Sequence, residues 1–107
     1  PLIQAKLGRS LLALGKVEQA RGELEKTLKL YPEYMLTRLL LGEAYLRQGE
    51  PDAARTHLEE AALINPFDPQ LHDHLRTVYE ALGETDRAAR AAAAHAKVMA
   101  HAPAATP

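Results

Sequence analysis

The chain contains no cysteine and no tryptophan, one phenylalanine in 107 residues, and only 5% aromatics. Without thiols it can form neither a disulfide nor a thiolate metal site, although this leaves the compartment open. Few rings and a formal net charge of −1 remove the two supports of nucleic-acid binding, cations that displace counterions and rings that stack on bases. No apolar run approaches the ~20 residues of a membrane-spanning helix, so no membrane span is expected. Ser10 is the only serine, and Gly8-Arg9-Ser10-Leu11-Leu12 lacks the second glycine of a nucleophile elbow. His72 and His74 are two apart, on opposite sides of a predicted helix, and no Glu-x-x-His or His-x-x-x-His spacing occurs. Glu59 and Glu60 are neighbours and diverge by about 100° on a helix, which suits a solvated face better than acid–base work. No catalytic residue, cofactor or metal is expected, and the chain is read as a non-enzyme. With 47% hydrophobic and 25% charged residues it should nevertheless fold.

What the chain does have is a period. Gly15, Gly49 and Gly83 are each 34 residues apart, as are Leu7, Leu41 and Leu75, and Ala20, Ala54 and Ala88. Leu11, Tyr45 and Tyr79 follow the same interval, and Gly8/Gly42, Leu24/Leu58 and Pro32/Pro66 keep it in two copies. A sustained interval of this length marks a repeat array. Charge is uneven along it: repeat 1–34 has six basic against four acidic residues, 35–68 three against six, and 69–102 four against four. Such unevenness orients a partner without identifying one.

Each copy holds two helical stretches. Ile3, Leu7, Leu11 and Leu14 recur at three- and four-residue steps, and after Gly15 the period resumes at Val17, Ala20, Leu24 and Leu28. Leu41, Ala44 and Tyr45 mark a third helix, Ala54, Leu58 and Ala61 a fourth, and Leu71, Leu75, Val78, Tyr79 and Leu82 a fifth. The sixth, from about Thr85, is rich in alanine, which favours helix but brings little apolar area. Pro51 suits a first helical position, with Asp52 complementing the helix dipole, and Asp68 reads as an N-cap ahead of Pro69. Pro32 and Pro66 stop the helices before them.

The unit Leu-Gly-x-x-Leu/Tyr, a turn at glycine, Ala-x-x-x-Leu and a closing proline resembles the tetratricopeptide repeat. The resemblance covers residues 1–102 as repeats 1–34, 35–68 and 69–102, leaving 103–107 as a flexible tail. It implies an all-α, right-handed solenoid of three helix-turn-helix repeats. Gly8, Gly42, Ala20, Ala54 and Ala88 are then small because paired helices approach closely. Repeat three departs from the pattern at Arg76, Ala92, His95 and Ala100, and reads as a capping repeat. With no initiator Met and a first residue at a repeat boundary, the chain reads as part of something longer.

The resemblance also implies a function, a non-catalytic module that binds a protein or peptide segment in the concave groove. Groove positions fall on Leu2, Ala5, Arg9, Leu12 and Ala13, then Leu36, Leu39, Glu43, Leu46 and Arg47, then Gln70, Asp73, Thr77, Glu80 and Ala81. Tyr34 and Phe67 border the groove from the loops. The partner-contacting set is therefore Arg9, Leu12, Tyr34, Leu36, Leu39, Glu43, Arg47, Phe67, Asp73 and Thr77. Arginines there would fix a carboxylate or carbonyl by forked hydrogen bonds. Family members that clamp a terminal carboxylate use lysines, asparagines and an arginine where this chain has Ala5, Arg9, Leu40, Gln70 and His74, so that clamp is not expected. Two other readings stay open: self-association through the apolar face of the first helix, and an accessory repeat domain of a larger enzyme. The compartment is not indicated, the cytoplasm being the favoured one.

Overall fold

Helices form wherever apolar residues recur at three- and four-residue steps, and the first five stop where glycine or proline breaks that period. The computed structural model describes residues 1–101, in the order α1 (Leu2–Ala13), α2 (Val17–Leu30), α3 (Met35–Arg47), α4 (Pro51–Ile64), α5 (Pro69–Ala81) and α6 (Thr85–Ala100). The tail expected over 103–107 lies outside these residues. All the regular structure described is helical, and the helices stack as an all-α solenoid of three pairs.

The turn inside each pair follows from one glycine. Gly49 sits at φ 73°, which a side chain would oppose, and its N–H donates to the carbonyl of Leu46 at 3.1 Å. The next N–H, of Glu50, donates to Tyr45 at 2.9 Å, so two of the last carbonyls of α3 find partners. Gly15 and Gly83 repeat this at φ 77° and 74°, with Lys16 to Leu11 and Glu84 to Tyr79 both at 2.8 Å. Between pairs, the Asp68 carboxylate accepts the N–H of Leu71 at 3.1 Å, and Pro69 opens α5. Pro51 opens α4 in the same way.

Close approach explains the small residues of the repeat. A Cβ on Gly8 would lie 2.6 Å from Leu24, and one on Gly42 would lie 2.5 Å from Leu58, closer than carbon atoms tolerate. Ala20 and Ala54, on the second helix of each pair, are fully buried. Two apolar clusters result, one built from α1, α2 and α3 and the other from α3 to α6. Helix α3 serves both, since Leu40, Leu41 and Ala44 join the first and Leu39 the second. Repeat three lacks this glycine-and-leucine fit: Arg76 stands where Gly42 does, Ala92 faces solvent, and α6 buries only Ala88 and Ala91.

The stack curves for a reason visible in its contacts. Helix α1 touches α3 and α3 touches α5, whereas α2, α4 and α6 do not touch one another. The first helices crowd together and the second ones splay, so α1, α3 and α5 form the concave side. At one end, α1 leaves Leu2, Ile3, Leu7 and Leu14 exposed at 46, 83, 47 and 70%.

Candidate functional site

The ten residues expected to contact a partner divide sharply by burial. Leu12 and Leu39 are each only 2% exposed and belong to the two apolar clusters, so they cannot meet a partner without unpacking the core. Tyr34 and Leu36 are half-buried against those clusters. Arg9, Arg47, Asp73 and Thr77 are open to solvent, on α1, α3 and α5 respectively. Phe67 is exposed at 74%, but it lies in a cleft with His72, Ala94, Lys97, Val98 and His101, on the α6 side of α5. The α5 residue that it meets there is His72, whose side chain leaves the helix about 100° from that of Asp73.

Arg47 and Glu43 are occupied within the protein. One nitrogen of Arg47 donates to the Leu12 carbonyl of α1 at 2.7 Å, and another meets Glu43 at 2.9 Å. Glu43 in turn faces the His74 ring of α5 at 3.5 Å. This chain of polar groups crosses the concave side from α1 through α3 to α5. His74 and, behind it, Arg47 hold the Glu43 carboxyl below the usual carboxylate range against an opposing contribution from burial. The forked contact expected between Arg47 and a partner is thus made, in large part, to the carbonyl end of α1. In repeat three Arg76 pairs with Asp73 at 2.8 Å and with Glu80, which closes off much of the acidic charge there.

A second network goes beyond the expectations drawn from sequence. On the side away from the groove, the Tyr45 hydroxyl donates to Glu25 at 2.8 Å and accepts from Arg21 at 3.2 Å. The Arg21 guanidinium lies 4.2 Å from the Tyr45 ring centre and 3.2 Å from Glu50. Repeats two and three are joined by the same parts 34 residues on: Tyr79 donates to Glu59 at 2.8 Å and Arg55 reaches Glu84 at 3.0 Å. Burial and the Glu59 hydrogen bond push the Tyr79 hydroxyl up to about 12, and burial and Glu25 raise Tyr45 as well. A signal for this network does exist in the chain, since Arg21/Arg55, Glu25/Glu59 and Glu50/Glu84 keep the repeat interval. Helix α6 has Ala89 and Ala93 at the corresponding places, so it offers no such arginine or glutamate on its outer face.

Among the described residues no three or more histidine and acidic side chains gather as a metal-binding group, and no helix is long and apolar enough to cross a membrane. No curated protein matches the chain in a sequence comparison. Solved structures match its shape closely at low identity. The first tetratricopeptide domain of Spaghetti (RPAP3), solved with the HSP90 peptide SRMEEVD, is 16% identical with a TM-score of 0.88, over 94% of this chain and 79% of that one. PcrH, solved with the chaperone-binding region of PopD, is 22% identical with a TM-score of 0.88, over 94% and 76%. The Yersinia enterocolitica type III secretion translocator chaperone SycD is 22% identical at 0.85, also over 94% and 76%. A family model described as tetratricopeptide repeat matches residues 5–70, more than half the chain. The repeat interval, the glycine-and-leucine contacts inside each of the first two pairs and this match together place the chain in the tetratricopeptide repeat family.

Proposed function

We propose that the chain is a non-catalytic interaction module whose repeats 1–34, 35–68 and 69–102 act as one unit, holding a partner segment along α1, α3 and α5. The observation that carries this reading is the set of open side chains on that side. Arg9 and Ala13 remain exposed, Thr77 and Asp73 are exposed although the first donates to the Asp73 carbonyl and the second pairs with Arg76, and Leu36 and Leu46 are half-exposed between them. A surface that runs from a free cation through apolar side chains to hydroxyl and carboxylate groups suits an extended peptide better than a small molecule. The neighbours support the general mode, since the Spaghetti domain is bound to an HSP90 peptide and PcrH to a region of PopD. The HSP90 type of ligand is not expected here, because Ala5 and Leu40 are buried apolar residues and His74 faces Glu43.

Affinity capture from the native organism, followed by mass spectrometry, tests the reading when wild type is compared with Arg9→Glu, Thr77→Arg and the control Lys26→Glu. Lys26 is exposed on α2 and meets only Glu23 at 3.6 Å. The two groove variants should lose a partner that the control keeps, with helicity unchanged in all three. One observation favours self-association as a second reading, the exposed Ile3 of α1 and Leu14 just after it, at 83 and 70%. A partner retained by both groove variants, together with a concentration-dependent mass abolished by Ile3→Asp, would replace the first reading with the second.

A further inference from the structure

The edge of the stack where one pair passes to the next carries large apolar side chains in the open, Leu63 at 80% and Phe67 at 74% exposed. Two clefts lie along it, of about 540 and 530 Å³. They are copies of one site set one repeat apart. Pro32, Arg38 and Ile64 line the first, and Pro66, His72 and Val98, each 34 residues on, line the second. Arg38 and His72 make the same bond, each to the carbonyl of the proline six residues before it. That bond ties the start of α3 and of α5 to the preceding loop and holds both clefts in the same shape.

Three further positions make the copies chemically different. Glu33, Glu60 and Leu63 of the first cleft become Phe67, Ala94 and Lys97 in the second. The second cleft therefore loses two carboxylates, gains a ring, and has its one cation at Lys97 rather than at the place of Arg38, where it has His72. Its polar rim is Lys97, His72 and His101, with no acidic group. An apolar hollow rimmed only by a cation and imidazoles complements an apolar side chain that has a carboxylate beside it. The first cleft, where Glu33 and Glu60 accompany Arg38, carries no such bias. We propose that the two clefts form a docking strip, separate from the concave side, for an extended partner segment. That segment has two apolar anchors, one for each cleft, and an acidic side chain next to the anchor in the second. Repetition of the cleft supplies the avidity, because linking two modest contacts makes the second effectively intramolecular. The strip stands whether or not the concave side binds anything.

Short random peptides displayed on phage and selected on the intact chain are the probe, with Phe67→Ser, Lys97→Glu and Arg9→Glu as variants of exposed residues whose helicity is checked first. Recovered peptides should carry two apolar positions and an adjacent Asp or Glu. Their affinity should fall by about tenfold or more for Phe67→Ser and Lys97→Glu, and stay unchanged for Arg9→Glu. Peptides sensitive only to Arg9→Glu would assign binding to the concave side and overturn the strip. Peptides with Lys or Arg beside the anchor, or no saturable peptide at all, would overturn it as well. So would a wild-type dimer abolished by Phe67→Ser, which makes a second copy the occupant, or tighter peptide binding after deletion of 102–107, which makes the chain's own tail the occupant.

Discussion

Repeats two and three follow one plan and differ most where their two helices meet. In repeat two a glycine on the first helix receives a leucine from the second, so closely that no Cβ fits at Gly42. In repeat three the sizes are exchanged, with Arg76 on the first helix and Ala92 on the second. Arg76 turns to Asp73 and Glu80 on its own helix, and Ala92 faces water. The helix-turn-helix shape survives because the turn glycine, the Tyr79–Glu59 bond and the Arg55–Glu84 pair are retained. Shape in this fold is therefore set by turns and by contacts between repeats, whereas the glycine-and-leucine fit is particular to the first two pairs, α5 and α6 packing side by side without it.

Breaking that fit should produce the largest effect. Leu58 is fully buried, and Leu58→Ala should cost about 2–5 kcal/mol in urea unfolding through lost contacts and a cavity. Gly42→Ala should follow at about 1–3 kcal/mol, because overpacking against Leu58 outweighs the better helix propensity of alanine. Arg76→Ala, at the same place in repeat three, should leave the unfolding midpoint nearly unchanged; equal losses at Gly42 and Arg76 would erase the comparison. Hydrogen exchange sharpens it without mutation, since α6 buries only Ala88 and Ala91 whereas α4 buries Ala54, Leu58 and Ala61. Amides of 88–98 should exchange faster than those of 54–64.

Two smaller effects probe the links between the repeats and the outer faces. Tyr79 has its hydroxyl raised from 10.0 to about 12, so the native state keeps a proton that the unfolded chain has already lost. Its contribution is fully present below about pH 10 and disappears as pH rises through about 12. Thermal melts of wild type should therefore decline across that window, and Tyr79→Phe should make the decline shallower. Gly22, on α2, has open space where a Cβ would stand, with nothing within 4 Å. Gly22→Ala should stabilise by about 0.5–1 kcal/mol through helix propensity alone, the reverse sign of the same change at Gly42.

Reversing the charge of Arg47 looks, on sequence alone, like a clean test of groove binding. In the structure Arg47 holds the end of α1 through the Leu12 carbonyl and pairs with Glu43. Arg47→Glu should therefore disturb the stacking of α1 on α3 as well as any partner contact, and Arg9, which makes neither contact, is the better probe.

Much of this protein is legible in its sequence because the signals are local and repeated. The six helices, the turn glycines, the Asp68 cap and the small residues at Gly8 and Gly42 each follow from backbone geometry or from a period of 34 residues, which needs no knowledge of distant neighbours. The repeat also implied which helices face inward. What it could not supply was the state of an individual side chain on that face. Leu12 and Leu39 look no different in sequence from Leu36, yet they are core, because Leu12 enters the cluster that α1 shares with α2 and α3, and Leu39 the one that α3 shares with α4 to α6. Whether Arg47 is free depended on how near α3 brings it to the last turn of α1. That Phe67 lines a cleft with α6 depended on where the α4–α5 loop sets it. Sequence by itself determined the helices, their ends and their pairing, since these depend on residues a few steps apart. The tertiary structure alone decided which side chains remain for a partner, since exposure is what is left after every neighbouring helix has been placed.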